Sequence, residues 1–113
     1  MADKGDTFMA WLYLFIAGLF EIAWATGLKY TEGFTRLWPS LGTGAAMAVS
    51  LWLLAVALET IPVGTGYAVW TGIGAAGTAV MGMMLFGESR ELARIVCIVM
   101  IVGGIAGLKF FSN

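Results

Sequence analysis

Residues 7–28 read TFMAWLYLFIAGLFEIAWATGL, an apolar run broken by a single charge, Glu21. A helix rises about 1.5 Å per residue and needs roughly 20 residues to cross a hydrocarbon core of about 30 Å, so this run is long enough to span a bilayer. Three more uncharged stretches follow it: Leu37 to Leu58, Thr60 to Gly87 and Ile95 to Leu108. The last is short, but Arg94 and Lys109 bracket it. Their long side chains can snorkel to the headgroups, so a helix from about Leu92 to Phe110 still spans. The expected fold is an all-α integral membrane protein. It forms a single four-helix transmembrane domain over residues 1–113, with helices at about 8–28, 37–58, 62–86 and 92–110.

Composition agrees. The 113 residues are 60% hydrophobic and 12% charged, too few charges to give a soluble core of this size a polar surface. The net charge of −1 and the scattered basic residues give nucleic acid no face to bind. Cys97 is the only cysteine and histidine is absent, so neither an intrachain disulfide nor a bound metal is expected, and no cofactor motif stands in a proper context. Asp3, Lys4 and Asp6 precede the first span in place of the positive region of a cleaved signal, so the first helix is read as retained. Trp11, Tyr13, Trp38, Phe110 and Phe111 fall near span ends, where amphipathic rings anchor at the interface. Lys29, Arg36, Arg90 and Arg94 lie on one side of the membrane and Lys4 and Lys109 on the other. That modest bias makes dual insertion and an antiparallel dimer plausible.

Glu21 is the chemical centre of the reading. Charged groups at such depth are costly and usually face a bundle interior or a wet cavity. Ala17, Gly18, Trp24 and Ala25 share its helical face, and the small ones leave room beside it. Phe15, Leu19 and Ile22 fall on another face suited to lipid or packing. A carboxylate in that setting is neutralised by a proton or by a bound cation, but not well by both, which is the physical core of exchange. A second copy across a dimer would couple the two titrations. The bland alternative is a protonated or hydrogen-bonded Glu that only joins helices.

Tyr67 and Trp70 share one face near the start of the third span, where their rings can attract a cation and their O–H and N–H can orient a carboxylate. An interfacial belt would look the same. Ser50, midway along the second span, can be a helix-contact residue. Residues 72–77, GIGAAG, match a dinucleotide fingerprint, but that motif needs a strand before it and a soluble crossover unit around it. Gly72, Gly74 and Gly77 instead suggest close packing or a hinge in the third helix. Gly103 and Gly107 have the small-xxx-small spacing of a dimer contact.

Together, Gly18-Leu19-Phe20-Glu21 with Trp24, Leu28-Lys29-Tyr30, Gly33-Phe34-Thr35-Arg36 and the run from Pro62 to Gly74 resemble the small multidrug resistance family, over about residues 9 to 111. Trp24 and the run Trp24 to Tyr30 look like the guanidinium exporter subtype. The segment Arg36 to Ser40 also occurs among the multidrug members. The extension Met1 to Thr7 departs from the usual pattern.

The resemblance implies an antiparallel homodimer in the cell inner (plasma) membrane. It implies a proton-coupled antiporter that exports guanidinium and small substituted guanidinyl cations by alternating access, with protons and substrate competing for the Glu21 pair. It also implies that Trp24, Ser50, Tyr67 and Trp70 orient the glutamates, that Gly18 lines the site, and that the stretch from Gly72 to Gly77 bends differently in the two subunits. Guanidinium suits a carboxylate because its planar N–H fork makes two parallel hydrogen bonds. A broad exporter of quaternary ammonium compounds remains the alternative within the family. A passive channel or a nontransporting membrane partner remains the alternative outside it. An enzyme is not expected, because no nucleophile–base pair is present.

Overall fold

The computed structural model describes residues 4–111; Met1, Ala2 and Asp3 of the N-terminal extension lie outside the described residues. Four α-helices follow in chain order: α1 (Lys4–Tyr30), α2 (Leu37–Ala57), α3 (Val63–Leu85) and α4 (Leu92–Phe110). Each is long and apolar enough to cross a membrane, so this is a multi-pass membrane protein. At its N-terminus α1 runs a turn further than the hydrophobic pattern alone suggests. Asp6 lies in that first turn, where a negative charge complements the helix dipole.

Small residues set the packing. Lipid tails are as apolar as leucine, so helices associate in a bilayer through close van der Waals contact and hydrogen bonds, and close contact needs small side chains. Ala10, Leu14 and Ala17 form a fully buried stripe on α1 at helical spacing. They meet Leu53, Leu54 and Ala57 of α2 and Val69 and Trp70 of α3. The backbone of α1 packs against both α2 and α3, whereas that of α4 runs alongside α3 alone. Glycines mark the nearest approaches. A Cβ at Gly27 would meet the Thr43 hydroxyl, and one at Gly18 would lie 2.6 Å from Ile73 Cγ2.

No described residue of α4 is buried. Its 19 residues rise roughly 28 Å, a bilayer's thickness, with Arg94 in the first turn and Lys109 in the last. The Lys109 ammonium rests 4.8 Å from the centre of the Trp11 ring, a cation–π contact at the span end.

Connections are tight. Thr31 ends α1: its buried hydroxyl donates to the Leu28 carbonyl at 2.7 Å and accepts the Phe34 N–H at 3.1 Å. The chain then turns through three consecutive left-handed residues, Glu32, Gly33 and Phe34, before α2 begins. Only the glycine takes that conformation without strain.

Candidate functional site

Glu21 lies on the face of α1 that meets α3. Its seat is made by an absence: a Cβ on Gly74 would clash with the Glu21 carboxyl carbon, so only glycine at that position lets the carboxylate lie against the α3 backbone. The adjoining Ile22 is seated in the same way against Gly77. From Glu21 a cavity of about 490 Å³ runs between α1 and α3 toward the α3–α4 connection. Ala25, Thr26 and Lys29 line it from α1, Thr71, Thr78, Ala79 and Gly82 from α3, and Phe86 and Glu88 stand at its outer end.

Polar atoms set in the walls of this cavity are unsatisfied. Glu21 Oε1, Thr26 Oγ1 and Thr78 Oγ1 are all buried and have no hydrogen-bond partner within the chain. The ion pairs among the described residues, Arg36–Glu32 and Arg94–Glu88, do not include Glu21. Buried polar atoms are ordinarily paired, and each exception calls for a ligand, a water or a functional reason. One carboxylate oxygen with two hydroxyls in the same cavity defines a site that can accept N–H donors and positive charge.

The other residues expected at the site fall into two groups. Ser50, Trp70 and Tyr67 come together. Trp70 Nε1 donates to Ser50 Oγ at 3.0 Å, Ser50 Oγ donates to the Ala17 carbonyl at 2.7 Å, and the Tyr67 ring lies 5.5 Å from that of Trp70. Within one subunit this chain of bonds ends on the α1 backbone, one turn before Glu21, and does not reach its carboxylate. Trp24 packs against the core, and its buried Nε1 has no partner. Gly18 lies against Ile73, outside the lining of the cavity.

The helix α3 is continuous through Gly72, Gly74 and Gly77 in this conformation, and each glycine serves a close approach, that of Gly72 to Ile105 of α4. Gly103 and Gly107 face open space, with nothing within 4 Å of where a Cβ would stand. Thr26, Thr78 and Glu88 are the site residues the sequence did not single out. Thr78 was within reach, since it stands four residues after Gly74 and so on the same face of α3.

Comparison with known proteins agrees with this architecture. The profile of the family described as Small Multidrug Resistance protein matches residues 9–101. The chain belongs to the small multidrug resistance family. Among its relatives, a guanidinium exporter of Proteus vulgaris is 57% identical over 104 residues, which are 92% of this chain and 100% of the relative. A guanidinium exporter of Yersinia pestis is 59% identical with the same coverage. A guanidinium exporter of Salmonella typhimurium is 59% identical over 105 residues, 93% of this chain and 100% of the relative. The family resemblance read from the sequence is therefore borne out, and these small multidrug resistance relatives are named as transporters.

Proposed function

We propose that this chain is a proton-coupled antiporter that exports guanidinium and small substituted guanidinyl cations, working by alternating access as an antiparallel homodimer in the cell inner membrane. The observation that carries this reading is the buried, unpartnered Glu21 oxygen with the unpartnered hydroxyls of Thr26 and Thr78 around one cavity. Guanidinium is planar, carries a positive charge and has N–H donors on every nitrogen. Its fork matches the carboxylate, and its remaining N–H groups find acceptors in the threonine hydroxyls. A quaternary ammonium ion has no N–H and would leave those oxygens unpaired, which favours guanidinium over the broad multidrug alternative. The names of the relatives point to the same substrate class.

Exchange follows from charge. With no basic side chain paired to it, Glu21 needs either a proton or a cation in a medium that penalises unaccompanied charge. Each ligand must leave before the other binds. Two such sites facing each other in a dimer titrate and bind as a coupled pair. The second subunit would also supply partners for the Nε1 of Trp24 and for the open Gly103 and Gly107 face of α4.

The test is guanidinium binding to purified protein across a pH series, joined to transport in liposomes under an imposed proton gradient. Affinity should weaken as pH falls, because protons occupy the same carboxylate, and Glu21→Gln should abolish exchange. Affinity that stays flat with pH, or proton-linked transport that survives Glu21→Gln, would overturn the mechanism.

A further inference from the structure

The α3 wall of the cavity repeats itself. Gly74, Thr78 and Gly82 recur every four residues and so form one stripe. A Cβ at Gly82 would meet the Glu88 carboxylate, as one at Gly74 would meet that of Glu21. The two glycine seats are thus about 12 Å apart along the helix. The unpartnered Thr78 hydroxyl lies between them, and opposite stands Thr26, only 9% exposed and also unpartnered. The Glu88 seat is fixed by the backbone as well, since the Glu88 N–H donates to the Gly82 carbonyl at 3.2 Å.

A guanidinium already occupies the outer seat. Arg94 Nη2 donates to Glu88 Oε1 at 2.7 Å, while the buried Arg94 Nε has no partner, so the two side chains do not lock together in the two-pronged form. Both are partly exposed, at 34% and 44%, and exposed pairs of this kind favour the closed state by about fivefold or less. Lys29, the other cation at the mouth, lies 5.0 Å from the centre of the Phe86 ring. Both cations stand at span ends, where their stems reach the headgroups, so releasing them from the mouth buries no charge.

We propose that Glu88 is a second cation-binding residue, a receiving site at the cavity mouth that takes a guanidinium-class cation from water by displacing the side chain of Arg94. The cation then passes along the Thr78 stripe to Glu21. This rests on the reading of the chain as a guanidinium exporter. In it Arg94 is a tethered competitor that keeps the mouth neutralised between transport cycles.

The experiment measures guanidinium transport by the full chain in liposomes of neutral lipid, for wild type and for Glu88→Gln, Arg94→Gln, the double variant, Glu88→Asp and Glu21→Gln. Removing the receptor and removing its competitor should act in opposite directions. Glu88→Gln should raise KM about threefold and Arg94→Gln lower it by a similar factor. The double variant should stay close to Glu88→Gln, because the other bond of Arg94 Nη2, to the Ala79 carbonyl, is long at 3.5 Å, and Glu88→Asp should restore KM to within about twofold of wild type. If the pair is merely a strap between α3 and α4, both single variants will shift transport the same way and the double will not fall with Glu88→Gln; that result overturns the proposal. Wild-type protein that carries no guanidinium, or Glu21→Gln that carries it normally, would remove the transport reading itself and this proposal with it.

Discussion

Gly74→Ala is the most direct probe of the Glu21 seat. The added methyl would clash with the carboxyl carbon and Oε1 of Glu21, and carbon atoms settle about 3.5–4.0 Å apart, so the carboxylate must retreat by about an ångström or more. Two effects act on stability. Alanine improves helix propensity by about 1 kcal/mol over glycine, while overpacking costs about 1–3 kcal/mol, so the unfolding temperature should fall only slightly. Binding has no such offset. Displacing the carboxylate from its alignment with Thr26 and Thr78 forfeits about one charge-assisted hydrogen bond, roughly 1.5–3 kcal/mol, or about ten- to a hundredfold in Kd. Calorimetric titration of guanidinium at fixed pH, with thermal unfolding of the same detergent-solubilised sample, separates the two. Gly64→Ala is the control, because nothing lies within 4 Å of its added methyl on the same helix. Should Gly74→Ala bind guanidinium within about twofold of wild type, the Gly74 seat would have no part in recognition.

Three further outcomes are expected. Ser50→Ala removes the acceptor of the buried Trp70 N–H and the donor to the Ala17 carbonyl; it should cost about 0.6–1.7 kcal/mol in unfolding experiments, and an unchanged unfolding curve would dismiss the bond as a stabilising contact. Thr78→Val should weaken guanidinium binding about three- to tenfold and leave a tetraalkylammonium ion unaffected, while equal losses for both ligands would mean that the hydroxyl does not read N–H groups. Gly103→Leu combined with Gly107→Leu places each new Cβ where nothing of its own subunit lies within 4 Å; helicity by circular dichroism should persist while the dimer population in crosslinking and sedimentation falls, and undiminished dimers would exclude that face as the contact.

The spans were legible because uncharged length is a coarse quantity, and bilayer thickness sets it directly. Glu21 was legible for the same reason: one charge inside 7–28 stands out against its surroundings. What surrounds it was not. The sequence marks Gly74 as a packing or hinge glycine, and its service as the floor under the Glu21 carboxylate depends on the register between α1 and α3, which no local pattern encodes. Ser50 was visible as a hydroxyl in mid-span, but its role as the link from Trp70 to the Ala17 carbonyl is again a matter of inter-helix register. Glu88 stands just past the uncharged stretch that ends at Gly87, and only the fold brings the α3–α4 connection back over Gly82.

Register also bears on how binding and movement can be coupled. Gly18 against Ile73, Glu21 against Gly74 and Ile22 against Gly77 are successive contacts of a single α1–α3 seam. The carboxylate is itself one of the side chains that set how closely the two helices approach. On the proposed mechanism, guanidinium and the proton hold the carboxylate differently against Gly74, so exchanging one for the other changes the seam at its midpoint. The energy needed is modest, because a ligand shifts a two-state equilibrium only by its differential affinity, and about 1.4 kcal/mol is already tenfold. An α3 that slides or bends must break these contacts together, so a substitution at Gly77, one turn from the site, should alter transport rate more than equilibrium binding. Gly77→Ala tests this, since its methyl would strike Ile22 and not Glu21. A slowed exchange rate with guanidinium affinity preserved is the expected result, and parallel loss of both would place Gly77 in recognition instead of movement.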